Sequence, residues 1–305
     1  MHGDVHVLAV SGHLLSQYLI SGVMSGVLYA LMGLGIAFIH NVTKTINWAM
    51  GQFYMIGSFL QYVLVVHLLG VDLWWIAVPL SAIGVLLLGW IMEPLVIRPM
   101  YKNTVESRDE YGTVVTIALF LLITGVASVL AGPHQRNPGS PVPDLKLGSL
   151  PVSGASFAAF VGALVAVAVF YVLIRRTWWG KALRAASQSR VGVQTAGVDV
   201  FRADQIAFAV GVSLAAVAGA LLAPVYLVYP TNGRIVTTKG LEVLIIGGLG
   251  YLPGTIVAGI MLGVVEALGV AFLGSNYQNV YGFLLLLLVL LVRPQGLFGE
   301  RARAV

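Results

Sequence analysis

Few residues in this chain belong to types that perform covalent or metal chemistry. The 305 residues include no cysteine, which removes thiol nucleophiles, thiolate metal sites and disulfides. No G-x-S-x-G or H-E-x-x-H motif is present, and the six histidines lack metal-ligand spacing. Gly180-Lys181 resembles the end of a phosphate-binding loop, but Arg175 and Ala182 stand where that loop needs glycine and a hydroxyl residue. The sequence therefore predicts no catalytic site, no metal site and no ATP site on this chain.

Acidic residues inside apolar stretches are the remaining candidates. Glu93 precedes Arg98 by about one helical turn, and we expect these two side chains to pair near the membrane surface. Glu266 lies deeper, within the stretch 255–272, where a carboxylate is costly unless it is paired or protonated. No intramembrane Lys or Arg partner is evident for it. Glu266 is therefore a candidate for a solute path, with a structural role as the alternative.

The composition indicates that these residues belong to an integral membrane protein. The chain is 58% apolar and 10% charged, with a mean hydropathy of +0.92. Soluble domains average about 45–50% apolar and about 25% charged residues, which excludes an ordinary soluble enzyme, a disordered chain and a nucleic-acid binder. A helix that spans the membrane needs about 20 mostly apolar residues. The stretches that qualify are 14–39, 48–69, 74–97, 113–131, 156–174, 205–229, 255–272 and 277–292.

Basic residues predict the orientation. Most of the 17 Lys and Arg residues fall at 98–108, at 175–202 or after the last stretch, and the positive-inside rule places all three groups in the cytoplasm. Three long stretches separate the second group from the third, and this odd number conflicts with both lying inside unless the short segment 241–252 also crosses. We therefore predict an all-α polytopic membrane protein whose N-terminus is outside and C-terminus inside. A single transmembrane domain would cover 1–305, with 132–155 as an external loop.

Two segments interrupt the apolar pattern, at 45–52 and 247–254. Irregular backbone at membrane depth persists where protein or a watery cavity satisfies its polar groups, so broken helices in corresponding halves indicate a transport path. A tight turn between helices is the alternative. The halves predict an inverted repeat in which 14–39, 45–52 and 53–69 correspond to 205–229, 241–254 and 255–272. The candidate path residues are Asn47, Gly51, Gln52, Gly247, Gly248, Gly250 and Glu266.

The segment 175–204 stands out among the polar parts of the chain. Its helix-forming residues, from Lys181 to Gln188, predict a short amphipathic helix with a basic side that lies at the membrane surface. A basic loop held at lipid headgroups and a docking helix for a cytoplasmic partner both fit these residues.

Six motifs, in this order, resemble the membrane permease of bacterial branched-chain amino-acid ABC importers, in particular its H-type subunit. They cover nearly the whole chain, and in the second of them Met50 replaces the histidine usual in the family. The motifs are GVLYAL (26–31), INWAMG (46–51), EPLVIRP (93–99), GKALRA (180–185), GGLG (247–250) followed by PG (253–254), and RPQGLFG (293–299).

The resemblance implies the remaining components of a transport machine. Two unlike permeases would form a heterodimer, two cytoplasmic ATPases would hold ATP and Mg, and a periplasmic binding protein would deliver the solute. Gly180, Lys181, Arg184 and Ala185 would belong to the segment that couples to an ATPase. This chain itself would bind no cofactor and would reside in the bacterial inner membrane.

The resemblance further implies that the solute is a branched-chain or related amino acid. Urea, short amides and aromatic acids are the alternatives within the family. An ion-coupled secondary transporter is a different alternative, and the lack of evident charge pairs inside the apolar stretches argues against it. A membrane-embedded enzyme would need a cluster of catalytic polar groups at one depth, which the sequence does not display.

Overall fold

The structure, a computed structural model, describes residues 12–101, 107–140, 142–147 and 150–299. The N-terminal tail before Gly12 and the basic residues Lys102, Arg301 and Arg303 lie outside the described residues, so their predicted sidedness stays a prediction. The helices and strands are α1 (Gly12–Thr43), α2 (Met50–Val63), α3 (Trp74–Met92), α4 (Arg108–Ala131), β1 (Leu145–Leu147), β2 (Leu150–Val152), α5 (Gly154–Arg176), α6 (Trp178–Gln188), α7 (Arg190–Thr195), α8 (Val200–Leu222), α9 (Gly233–Gly247), α10 (Leu252–Leu273) and α11 (Gln278–Val292).

Eight helices in the described part of the chain are long and apolar enough to cross a membrane, which confirms the predicted polytopic architecture. Their bounds follow the predicted stretches closely, with one exception. The span predicted as 205–229 ends at Leu222, because Pro224 lacks an N–H group and disfavours a helical residue before it. The chain then continues without a helix until Gly233.

The predicted short span 241–252 is wrong in its bounds. The helix in this region is α9, and its 15 residues rise only about 22 Å, less than the hydrocarbon thickness of about 30 Å. It ends because Gly248 and Gly250 take positive φ values of 97° and 102°, which glycine adopts readily. The helix begins eight residues earlier than predicted because its first half contains polar side chains that the protein buries.

The three basic groups, where described, share one end of the helical bundle. Arg190 Nη1 donates to the carbonyl oxygen of Val42 at 3.2 Å, which joins α7 to the end of α1. Leu297 N donates to the carbonyl oxygen of Ile246 at 2.9 Å, which joins the segment after α11 to the end of α9. We call this end, formed by residues 41–45, 93–101, 107–112, 174–205, 246–252 and 293–299, the basic face. The return of α9 to it supplies the additional pass that the charge pattern required.

The inverted repeat is present, but its pairing differs from the predicted one. The segment that corresponds to 44–49 is 223–232, because each is an irregular stretch that precedes a short helix. Thus α1, α2 and α3 correspond to α8, α9 and α10, and the first helix of each set runs in the opposite direction relative to the basic face. The pairing of 45–52 with 241–254 is therefore wrong.

The segment between α4 and α5 carries a small ribbon that the sequence did not indicate. Strands β1 and β2 pair antiparallel, with Leu145 opposite Val152. Nearby, Arg136 and Val228 exchange two backbone hydrogen bonds of 2.9 and 2.7 Å. This exchange ties the 132–155 segment to the irregular stretch that precedes α9.

Helices α1 and α10 pack through glycines at close range. A Cβ placed on Gly26 would lie 2.6 Å from Ile260 Cα, closer than real Cβ contacts allow. Gly26→Leu should therefore cost more than the roughly 1–3 kcal/mol of an overpacked core, and we expect membrane-inserted protein to fall severalfold on immunoblots. Gly125→Leu in α4 is the matched control, since nothing lies within 4 Å of its Cβ position. Equal abundance of the two variants would contradict the packing.

Candidate functional site

The two short helices α2 and α9 meet through their N-termini near the centre of the bundle. Gly51 N donates to Thr237 Oγ1 at 3.0 Å. A Cβ on Gly51 would overlap the carbonyl oxygen of Gly233, and a Cβ on Gly233 would overlap that of Gly51. Gly51, predicted to line a path, thus lies where the two repeats join. The positive ends of two helix dipoles face each other there.

Two buried amide side chains flank this junction. Asn47 Oδ1 accepts from Ala49 N at 2.9 Å, just before the first residue of α2. Asn47 Nδ2 and both polar atoms of Gln52 are buried without a hydrogen-bond partner among the described residues. A buried polar group without a partner costs about 1–3 kcal/mol, so these amides are suited to contact water or a polar solute.

The predicted path glycines near residue 250 lie elsewhere, on the basic face. The Cβ position of Gly248 is 2.5 Å from Gly299 N, and that of Gly250 is 3.1 Å from Asn41 Oδ1. Gly247 packs against Gly254 at the start of α10. The structure therefore places the candidate path residues in separate regions: the α2–α9 junction, the basic face, and the surroundings of Glu266.

Glu266 does have a cationic partner, which corrects the expectation from the sequence. Lys239 Nζ lies 2.5 Å from Glu266 Oε1 and 3.2 Å from Glu242 Oε2, and all three side chains are at most 4% exposed. Tyr29 Oη donates to Glu266 Oε2 at 3.1 Å. We call Lys239, Glu242 and Glu266 the buried triad. Lys239 was missed because it precedes the predicted segment 241–252, whereas the structure places it inside α9. The i, i+3 spacing to Glu242 was the available signal.

A cavity of about 230 Å³ adjoins the buried triad. It lies in the half of the bundle away from the basic face, between α1, α2, the end of α8, α9 and the start of α11. Its polar wall includes Lys239, Asn232, Gln278 and four tyrosines, and its apolar wall includes Met32, Leu222, Ile235 and Val236. The tyrosines are Tyr29, Tyr54, Tyr226 and Tyr229. No pattern in the sequence predicted this cavity.

The predicted amphipathic helix is α6, and it lies on the basic face. Thr177 Oγ1 accepts from Gly180 N at 3.0 Å and caps the helix. Ala182, Leu183 and Ala186 are buried, whereas the opposite side of α6 is exposed. The exposed side carries Lys181, Arg184, Ala185 and Gln188.

The predicted coupling residues divide into two roles in this helix. Gly180 is buried, and a Cβ there would overlap the carbonyl oxygen of Ile174, so glycine lets α6 fold back on α5. Arg184 Nη1 donates to the same carbonyl oxygen while the side chain stays on the exposed side. Lys181 and Ala185 complete the exposed side.

Arg190, which sequence reasoning did not single out, connects the segment after α6 to the spans. Its guanidinium makes two hydrogen bonds to the buried Asp204 of α8, at 3.2 and 2.6 Å, and lies 4.6 Å from the centre of the Tyr101 ring. Burial disfavours its charge, but the hydrogen bonds and charge of Asp204 outweigh burial and raise the pKa of Arg190. The predicted surface pair of Glu93 and Arg98 is also present, at 3.2 Å.

Broken half-helices in an inverted repeat, a polar cavity inside the bundle and a surface helix linked to the spans together define a solute permease. Residues 18–292 match the family model described as the permease component of branched-chain amino acid transport systems. The chain therefore belongs to the family of branched-chain amino acid ABC transporter permeases. It is a multi-pass inner-membrane protein and not an enzyme, and systems of this class include ATPase and binding-protein components.

Curated relatives agree with the family match. The chain is 30% identical over 293 residues to the high-affinity branched-chain amino acid transport system permease protein LivH of Salmonella typhimurium, covering 93% of this chain and 95% of that protein. LivH of Escherichia coli is 29% identical with the same coverage. BraD of Pseudomonas aeruginosa, a permease protein of the same description, is 28% identical over 305 residues, again covering 93% and 95%.

Proposed function

We propose that this chain forms one half of the translocation path of an ABC importer for branched-chain amino acids. An unlike permease is the other half, two ATPases bind the basic face, and a periplasmic binding protein docks on the opposite face. The N-terminus is then outside and the C-terminus inside. ATP and Mg are held by the ATPases, and this chain binds no cofactor.

The observation that carries this proposal is the position of α6. Its exposed side carries Lys181 and Arg184 on the same face as the other basic groups, as the positive-inside rule expects of cytoplasmic segments. Through the bonds of Arg190 to Val42 and Asp204, a displacement of the α6–α7 segment is passed to α1 and α8. Such a rigid connection suits a helix that an ATPase moves.

The path we propose runs past Asn47, Gly51 and Gln52 at the junction of α2 and α9. Glu266 lies on its external side, and the glycines 247, 248 and 250 lie at its cytoplasmic end. The proposed solute class, branched-chain amino acids, comes from the names of the relatives LivH and BraD. An ion-coupled transporter was disfavoured because no charge pairs were evident inside the apolar stretches. The buried triad removes that argument. Membership of the family is therefore what favours ATP, and not an ion gradient, as the energy source.

Charge reversal on α6 tests the coupling role. We expect Lys181→Glu and Arg184→Glu each to lower ATPase copurification and ATP-dependent leucine uptake into proteoliposomes at least tenfold, while membrane insertion is unchanged. Both variants place a carboxylate on the proposed contact surface, and like or unpaired charges at an interface cost several kcal/mol.

Arg176→Glu makes the same charge change on the basic face but at the exposed end of α5, so it tests whether the loss is specific to α6. Lys181→Glu separates docking from folding, because Arg184 also bonds to Ile174 within the chain. Unchanged copurification in both α6 variants would remove the docking role. Uptake driven by an ion gradient without ATP would contradict the importer as a whole.

A further inference from the structure

By formal charge, the buried triad is more negative than positive. Lys239 contributes one ammonium group, whereas Glu242 and Glu266 contribute two carboxylates. Glu242 Oε1 is buried and has no hydrogen-bond partner among the described residues. An uncompensated charge in a buried site is costly, so an additional cationic group placed here would be stabilised.

Glu266 is the carboxylate that a solute in the cavity could reach. Its Oε2 accepts from Tyr29 Oη at 3.1 Å and from Gln278 Nε2 at 3.4 Å, and both of these residues line the cavity. The contact with Gln278 is long for a hydrogen bond, and Gln278 is exposed at the start of α11. Glu266 does not itself line the cavity, so a solute would reach its Oε2 by displacing the side chain of Gln278.

A second, independent group in the same cavity lacks a partner. Asn232 is 7% exposed and lines the cavity, and its Nδ2 donates to Ser58 Oγ at 3.1 Å. That bond fixes the amide and leaves Oδ1 as a buried acceptor without a partner among the described residues. An unpaired buried acceptor is costly and marks a place where a ligand donor would be satisfied.

The size and walls of the cavity restrict what it can hold. At about 230 Å³ it is smaller than the pockets of about 300–1,000 Å³ that enclose drug-sized ligands. Met32, Leu222 and Val236 contribute apolar lining, and four tyrosines contribute rings with polar hydroxyl groups. Tyr226 and Ile235 are 51% and 54% exposed, so the cavity is open on that side. A small amphipathic solute with a cationic group fits these features.

We propose that this cavity is a binding site for the ammonium group of a branched-chain amino acid, with Glu266 as its counter-ion. The aliphatic side chain lies along the apolar residues. The hydroxyls of Tyr54, Tyr226 and Tyr229 and the amide of Asn279, which also lines the cavity, donate to the carboxylate of the solute. This inference rests on the proposed function and deepens it. It assigns solute recognition to the permease itself, in addition to any binding protein.

Ligand-induced thermal stabilisation tests the site. The full-length chain, in nanodiscs with the subunits that copurify with it and without binding protein, is titrated with three probes. L-leucine has both charged groups, 3-methylbutylamine has the ammonium alone, and 4-methylpentanoate has the carboxylate alone. We expect leucine and the amine to raise Tm and the acid to have no effect. Glu266→Gln should weaken leucine binding about ten- to a hundredfold, as loss of a hydrogen bond to a charged group implies.

A second variant tests the same site in case Glu266→Gln does not fold. A Cβ on Gly282 of α11 would lie 2.7 Å from Glu242 Oε2 and 2.8 Å from Glu266 Oε1. Gly282→Ala therefore displaces the buried triad without removing a charge, and we expect it to weaken leucine binding at least tenfold. Tyr277→Phe is the control, because Tyr277 is 61% exposed and does not line the cavity.

Three results would overturn the inference. The first is that 4-methylpentanoate and leucine raise Tm equally. The second is that leucine binding is unchanged in both Glu266→Gln and Gly282→Ala. The third is that neither leucine nor the amine raises the Tm of the unaltered chain. If ATP-dependent uptake persists in any of these cases, the site is wrong while the proposed importer stands. If uptake needs no ATP, the importer fails regardless of ligand binding.

Discussion

Gly51→Ala is expected to abolish leucine uptake. The added methyl group would overlap the carbonyl oxygen of Gly233 and the hydroxyl of Thr237, and the first of these is backbone that cannot rotate away. The N-termini of α2 and α9 would have to separate, which breaks the bond from Gly51 N to Thr237 Oγ1. Since the two repeats join at this contact, we expect uptake in proteoliposomes to fall to background.

The control for this prediction is another helical glycine. A Cβ on Gly84 of α3 would meet only Leu60 Cδ1, at 3.2 Å, and the flexible end of a leucine can shift. Gly84→Ala should therefore transport normally. Gly233→Ala should reproduce the loss seen in Gly51→Ala, because the overlap is reciprocal. Normal uptake by either junction variant would mean that α2 and α9 do not meet in the transporting protein.

The spans were predictable because length and apolarity suffice to define them. A stretch such as 113–131 faces lipid along much of its surface, so its side chains must be apolar whatever the rest of the chain does. The charge pattern went further, since it required a ninth segment that hydropathy alone does not reveal. The segment is α9 rather than 241–252, and it returns the chain to the basic face, while the sidedness of that face stays a prediction.

The bounds of α9 were not predictable by the same reasoning. Its first half contains Arg234, Thr237 and Lys239, and a hydropathy window therefore starts the segment only at Leu241. Thr237 and Lys239 are tolerated because neighbouring helices, not lipid, surround them, whereas Arg234 is exposed at the start of the helix. Hydropathy measures suitability for lipid, so it fails where a membrane helix is enclosed by protein.

The candidate site was predictable only in part, because its contacts join distant parts of the chain. The pair of Glu93 and Arg98 is local and was found, whereas Lys239 and Glu266 lie 27 residues apart on different helices. The cavity depends on the relative positions of five helices, and no residue pattern encodes that shape. The glycines at 247–250 were correctly predicted to interrupt a helix. The sequence does not distinguish an interruption beside a solute path from one at the basic face, so their location was not predictable.

Arg190→Met is expected to destabilise the protein more than Asp204→Asn, although both remove the same ion pair. The Asp204 side chain is completely buried, whereas that of Arg190 is 28% exposed. Without Arg190, the carboxylate of Asp204 stays buried and loses its counter-ion, a change that costs about 3–5 kcal/mol. Without the charge of Asp204, Arg190 can turn towards water and recover part of its hydration. Thermal unfolding of the purified variants in one detergent measures the difference.

The double variant Arg190→Met/Asp204→Leu tests most directly whether the unpaired buried charge causes the loss of stability. It removes the buried charge as well as its partner, so we expect it to be more stable than Arg190→Met alone. Arg202→Met is the matched control, since its pair with Asp199 at 3.3 Å is exposed and contributes little.

The double variant should nevertheless transport poorly, because an apolar contact lacks the directional bonds that hold α7 to both α1 and α8. Full uptake by a stable double variant would mean that the connection through Arg190 stabilises the fold without transmitting movement from α6.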